Sequence, residues 1–142
     1  MKIRILANGK YKVSAIADAD GKCPVYNDLM GNLSDQYKRY GIILLDKIDR
    51  ISNEGFQSFS SKLAHEICKE PKVYELIQGK LRLIFFHGKE EMVAVCTEII
   101  IKQGQKADKK AVNRAIKASN AYWQSLDNGS LNLIEEGKNG AE

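Results

Sequence analysis

Residues Val73 to Trp123 read VYELIQGKLRLIFFHGKEEMVAVCTEIIIKQGQKADKKAVNRAIKASNAYW. Within this stretch, Leu81–Phe86 (LRLIFF) and Met92–Ile101 (MVAVCTEIII) are dense in branched and aromatic side chains and contain neither Pro nor Gly. That pattern predicts two central strands. His87-Gly88-Lys89-Glu90 joins them, and Gly88 supplies the permissive backbone that a hairpin connection uses. Val73–Ile77 (VYELI) predicts a shorter strand, turned into the next by Gln78-Gly79-Lys80. Three strands in succession with short links predict an antiparallel meander over residues 73–101.

A lysine-rich connector, KQGQKADKK, follows from Lys102 to Lys110. Asp108 can cap the helix that comes next, because its carboxylate accepts the free N–H groups of a first turn and suits the positive end of the dipole. In the helix predicted over residues 108–126, Val112, Ala115, Ile116, Ser119, Tyr122, Trp123 and Leu126 recur at three- and four-residue steps. They form one apolar stripe that should lie on the sheet. From Lys102 to Lys117 there are six basic residues against one acid, Asp108. An isolated run of this kind is ordinarily a solvated helix face. A run that leaves a central strand and opens a helix also has the makings of a phosphate-binding edge.

These residues resemble the C-terminal half of RelE/HigB-type toxins, in particular the phage-associated HigB-like branch. Tyr74-Glu75-Leu76 matches that family's first strand element, and Arg82 with Leu83-Ile84-Phe85-Phe86 matches the second. Lys102 and Lys106 match two lysines of the third. The sequence departs from the family at Ile77 (usually Arg), Leu81 (an aromatic), Ile100 (Phe), Gln103 (Lys) and Ala107-Asp108 (Thr-Pro). The resemblance spans roughly residues 24–125 and is closest in its second half. It implies an α+β fold, a small twisted antiparallel sheet carrying two N-terminal helices on one face and a C-terminal helix at its edge.

The rest of the chain is read around that core. Lys2–Ala7 and Lys10–Ala17 flank Asn8-Gly9, a strong hairpin signal, so residues 1–18 predict an N-terminal hairpin. Its first arm is an addition to the single strand with which the family usually begins. Asp18-Ala19-Asp20-Gly21-Lys22 predicts a turn; as a calcium loop it lacks the remaining ligands and the final glutamate. Pro24 opens a short helix to about Leu33. Ser34 is placed to cap a second helix from Asp35 to about Ser52, with Tyr37, Tyr40, Leu44, Ile48 and Ile51 as its buried stripe and Gly55 beyond its end. Residues 24–52 thus predict an antiparallel helix pair. A further short helix is expected from Ser61 to Lys69, closed off by Pro71. The organisation expected is one domain over residues 1–126 and a mobile tail over 127–142, where Asp127, Glu135, Glu136 and Glu142 face Lys138 alone. Such an acidic tail could fold back on the basic edge and compete with RNA.

Composition sets outer bounds. The chain has 142 residues, 44% of them hydrophobic and 28% charged, with a net charge of +4. That is long enough for one real core and compatible with an acidic partner such as RNA. Met1-Lys2-Ile3-Arg4-Ile5 alternates in place of a signal peptide's apolar run, and no stretch approaches the roughly 18 apolar residues of a membrane helix. Cys23, Cys68 and Cys96 are odd in number and widely spaced, and only two histidines accompany them. A zinc site and a disulfide framework are both disfavoured, and a reducing cytoplasm is the expectation.

The resemblance implies ribosome-dependent cleavage of mRNA and a cognate antitoxin as partner, with no metal or other cofactor and no membrane. In that chemistry a ribose 2′-hydroxyl attacks the adjacent phosphate, leaving a 2′,3′-cyclic phosphate. It requires cations for the dianionic transition state, a base and an acid. An Arg embedded in an apolar strand is too costly to bury alone, so Arg82 faces either a polar cleft or a salt bridge to Glu75 or Glu98. Lys80, Lys102, Lys106 and Lys109 add positive field, or are simply solvated. Glu75, Glu98 and His87 are the candidate bases and acids, with a hairpin histidine of no chemical role as the alternative for His87. Tyr122 and Trp123 either stack on a base or pack the core. The competing functional classes are a RelE-fold protein that binds RNA or protein without cleavage, and a phage or mobile-element interaction protein with no RNA role.

Overall fold

A computed structural model describes residues 1–56, 64–104 and 108–135. In chain order its elements are β1 (Lys2–Asn8), β2 (Lys12–Ala17), α1 (Pro24–Asn27) running into a π-helical turn (Asp28–Asn32), α2 (Asp35–Glu54), β3 (Ala64–Lys69), β4 (Lys72–Gln78), β5 (Leu81–Phe86), β6 (Met92–Ile101), α3 (Lys109–Asp127) and β7 (Asn132–Ile134). The fold is α+β. Among the described residues, seven strands form one sheet in the order β3-β4-β5-β6-β2-β1-β7.

The helices cover both faces of this sheet. In β5, side chains alternate between them, so Leu81, Leu83 and Phe85 join Leu76 beneath the Leu44, Ile48 and Ile51 stripe of α2. Ile84, with Val73, meets Ala111 and Ala115 of α3, while Phe86 packs with Ala118 and Tyr122 farther along that helix. A strand covered on both sides has apolar residues at nearly every position, which explains why only Arg82 interrupts LRLIFF.

Several expectations are met locally. Asn8-Gly9 does begin a hairpin, with β1 and β2 antiparallel and Asn8 opposite Lys12. Ser52 of α2 holds the hairpin tip, its Oγ accepting from Gly9 N at 2.6 Å and donating to Tyr11 O at 2.7 Å. Asp18 Oδ1 accepts from Asp20 N and Lys22 N, making the predicted turn. Gly55 ends α2 with φ +80 and donates to Ile51 O at 2.8 Å, the backbone that favours glycine there. Asp108 caps α3, accepting from Lys110 N at 2.9 Å and Ala111 N at 3.1 Å. Ser34 occupies the cap position of α2 but makes no side-chain cap bond.

Other expectations are corrected. The sheet is mixed: β2 lies parallel to β6, and β7 parallel to β1. Parallel neighbours need a long crossover, which α1 to β5 and β2 to α3 respectively provide. The meander has four strands, because Ala64–Lys69 pairs with β4 as strand β3 and is not helical; residues 61–63 lie outside the described residues. Pairing across the Glu70-Pro71 turn decides that segment over its local helical pattern. The first helical segment, Pro24–Asn32, is short and kinked at Gly31 (φ +134), and its π-helical turn lies against α2. The tail is ordered through β7, where Asn132 N donates to Met1 O at 2.9 Å. Its acidic residues from Glu136 onward lie outside the described residues.

Candidate functional site

Arg82 is the second residue of β5 and stands opposite Ile77 of β4 and Ile100 of β6, on the α3 side of the sheet. Glu75 and Glu98 both stand opposite Ile84, two residues further on and on the same side. The register therefore offers Arg82 either glutamate. It pairs with Glu75, Nε to Oε1 at 3.8 Å, with side chains 13% and 5% exposed. Its Nη1 donates to the carbonyls of Gly79 at 2.6 Å and Leu81 at 3.0 Å. The Arg82 Nε is buried and has no hydrogen-bond partner among the described residues. Glu98 is engaged elsewhere: Arg114 of α3 grips it with both ends of the guanidinium fork, at 2.7 and 2.8 Å. That hydrogen bonding raises the Arg114 pKa further.

Two adjoining hollows open beside Arg82. The larger, about 510 Å³, is lined by Gly79, Lys80, Arg82, Lys102, Gln103 and Gly104. The second, about 220 Å³, shares Arg82 and Lys102 and adds Glu75, Ile100, Ile101 and Asp108. Together they make a cleft at the start of β5 and the end of β6, where α3 begins. Lys102 N donates to Lys80 O at 2.8 Å, which ties the start of the basic connector to the β4–β5 turn. Among the described lining residues three cations face two carboxylates. One of these, Asp108, is occupied as a helix cap, and the other, Glu75, is in ion-pair range of Arg82.

No protein-family model matches the chain, and no curated protein matches it. Function therefore rests on the cleft.

The cleft gathers Arg82, Glu75, Lys80 and Lys102 from the residues singled out in the sequence. Lys109 is exposed at the start of α3 and does not line it. Lys106 lies outside the described residues. His87 follows β5 at its other end, about 16 Å along the strand at ~3.3 Å per residue. There its Nδ1 meets Val93 O at 2.6 Å, and its ring sits among Tyr74 (4.6 Å), Phe56 (5.4 Å) and Phe85 (6.4 Å). Tyr122 is core: its ring meets Phe86 edge-on at 5.6 Å, and its hydroxyl accepts from Lys89 N. Burial pushes that phenol's pKa up. Trp123, predicted on the buried stripe, is 41% exposed. Small residues (Ala111, Ala115, Ala118) seat α3 on the sheet, which turns Trp123 outward.

Six lining positions escaped sequence reading as site residues: Gly79, Ile100, Ile101, Gln103, Gly104 and Asp108. The two glycines carry the turn and connector beside the cleft, and glycine in a basic loop is the signal that points to them. Among the described residues, no group of three or more His, Cys, Asp or Glu could hold a metal ion, and no helix is long and apolar enough to cross a membrane.

Proposed function

We propose that this chain is a RelE/HigB-like toxin, a cytoplasmic ribosome-dependent mRNA endoribonuclease held in check by a cognate antitoxin. One observation carries the reading: Arg82, Lys80 and Lys102 line a single open cleft beside the start of α3. Three cations around an open hollow of about 510 Å³ suit a phosphodiester and the extra charge that develops as it is attacked. Arg82 brings a permanent positive charge to the wall of the cleft, its Nη1 held by the Gly79 and Leu81 carbonyls. Glu75, in contact range of Arg82, is the lining carboxylate placed to take the 2′-hydroxyl proton. Lys80, an exposed ammonium, is the candidate proton donor to the leaving 5′-oxygen. An acidic or amphipathic antitoxin segment laid over the same cleft would neutralise it.

A second reading has its own support. Glu98 is committed to Arg114 and His87 lies at the far end of β5, so neither can serve at Arg82. A cleft that keeps its cations but has little acid–base equipment would bind RNA, or an acidic protein segment, without cutting it. Incubation of the purified protein with translating ribosomes decides between them. The toxin reading expects cleaved message with 2′,3′-cyclic phosphate ends, abolished by Glu75→Gln. Tight, salt-sensitive binding with intact message selects the second reading.

A further inference from the structure

Lys47 points from α2 toward the underside of the β4–β5 turn. It falls among Leu44, Ile48 and Ile51 on the buried side of the helix and is 8% exposed. Its Nζ donates to Ile77 O at 3.0 Å and to Gln78 Oε1 at 2.5 Å. A buried ammonium held by a peptide carbonyl and an amide oxygen is an expensive arrangement. Burial, helped by nearby Arg50, lowers its pKa accordingly. One residue further on, Gly79 has φ +58, and a Cβ there would come within 3.0 Å of the Tyr40 ring, also from α2. The turn is thus clamped from below by two side chains of one helix.

From above, the same turn supports the cleft. Gly79 O receives the Arg82 guanidinium, and Lys80 O receives the Lys102 amide. We infer that Lys47 is a positioning residue for the cleft, acting through the Gln78–Lys80 turn from the opposite face of the sheet. The inference rests on the reading of the cleft as an RNA phosphate site. Lys47 touches none of the lining cations; it fixes the carbonyls on which Arg82 and Lys102 are registered.

Lys47→Met keeps the aliphatic stem and removes the donors. Two measurements on the full chain test it. The first is hydrogen exchange at the Lys102 amide, which reports the turn without reference to RNA. Exchange should accelerate about fivefold or more, the equivalent of roughly one net hydrogen bond; unchanged exchange overturns the inference whatever RNA does. The second is binding of a single-stranded RNA oligonucleotide by the wild type, Lys47→Met, Arg82→Ala and the double variant. Lys47→Met should weaken binding about fivefold in the wild-type background and by less than that beside Arg82→Ala, where only Lys102 is left for the turn to position. Losses that multiply in the double variant, or wild-type affinity in Lys47→Met, overturn the positioning role and leave the cleft reading intact. Wild-type affinity in Arg82→Ala removes the cleft reading instead, and the exchange result then decides whether Lys47 holds the turn. Gln78→Leu removes one acceptor of the same clamp without touching the helix, and must shift both readouts in the same direction.

Discussion

Arg82 is both part of the cleft and half of a nearly buried ion pair. Removing one partner of such a pair strands the other's charge, whereas replacing both with apolar groups is close to neutral. Arg82→Met should therefore cost about 3 kcal/mol in urea unfolding, and Glu75→Leu added to it should recover most of the loss; two additive losses would argue against the coupling. Lys47 gives a pH signature. The unfolded chain holds that proton up to about pH 10.4, and the folded chain releases it earlier because burial and Arg50 lower its pKa. Between those points the unfolded state binds more protons, so the site's contribution to stability rises with pH. Denaturation near neutrality and at about pH 10 should show the wild type gaining on Lys47→Met at the higher pH; a constant difference would remove the linkage. Among the thiols, burial raises the pKa of Cys23 and Cys96, whereas Cys68 is half-buried on β3. Since the thiolate is the reactive form, alkylation of the native protein followed by peptide mass spectrometry should find Cys68 modified first. Arg82 was legible in the sequence because a cation in an apolar strand demands an explanation. The choice of Glu75 over Glu98 was not, because it depends on Arg114 reaching Glu98 from a helix sixteen residues further along the chain.

At the scale of elements, periodicity identified β5, β6, α2 and α3, whose signals are local. Pairing decided the elements it missed. Ala64–Lys69 extends because β4 offers it a partner across the Glu70-Pro71 turn, and Asn132–Ile134 because β1, at the other end of the chain, does. The Asp108 cap makes two bonds to the first turn of α3, so Asp108→Ala should lower stability by about 1 kcal/mol in thermal unfolding. No change would mean that the first turn of α3 does not depend on its cap. β7 runs parallel to β1 from Lys2 toward Arg4, four strands from β5 in the sheet order. That placement gives the described part of the tail no contact with the cleft. A chain ending at Ser130 should lose β7's small contribution, a drop of a few degrees in Tm, and bind RNA as the intact chain does. A gain in RNA affinity would restore the competing-tail idea.

For the molecule as a whole, a net charge of +4 is modest, and its use depends on where the cations lie. The sheet order brings the start of β5 and the end of β6 next to the start of α3, and so turns residues scattered over positions 75–108 into one cleft. Sequence alone indicated a basic edge and put His87 beyond the far end of the strand that carries Arg82, but could not show that Lys109 stands outside the cleft. If Arg82, Lys80 and Lys102 each neutralise a phosphate of single-stranded RNA, log K should fall with log salt at a slope of about −2, and the Arg82→Ala slope should be shallower by about one phosphate. A flat dependence would detach the cleft from nucleic acid. The most direct measurement of the central claim is made in growing bacterial cells. Wild type and Arg82→Ala, the variant checked as folded by circular dichroism, are induced, and mRNA 5′ ends are mapped on translated messages. The account predicts growth arrest with new in-frame cleavages from the wild type and neither from Arg82→Ala. Intact messages under a folded, well-expressed wild type would contradict it.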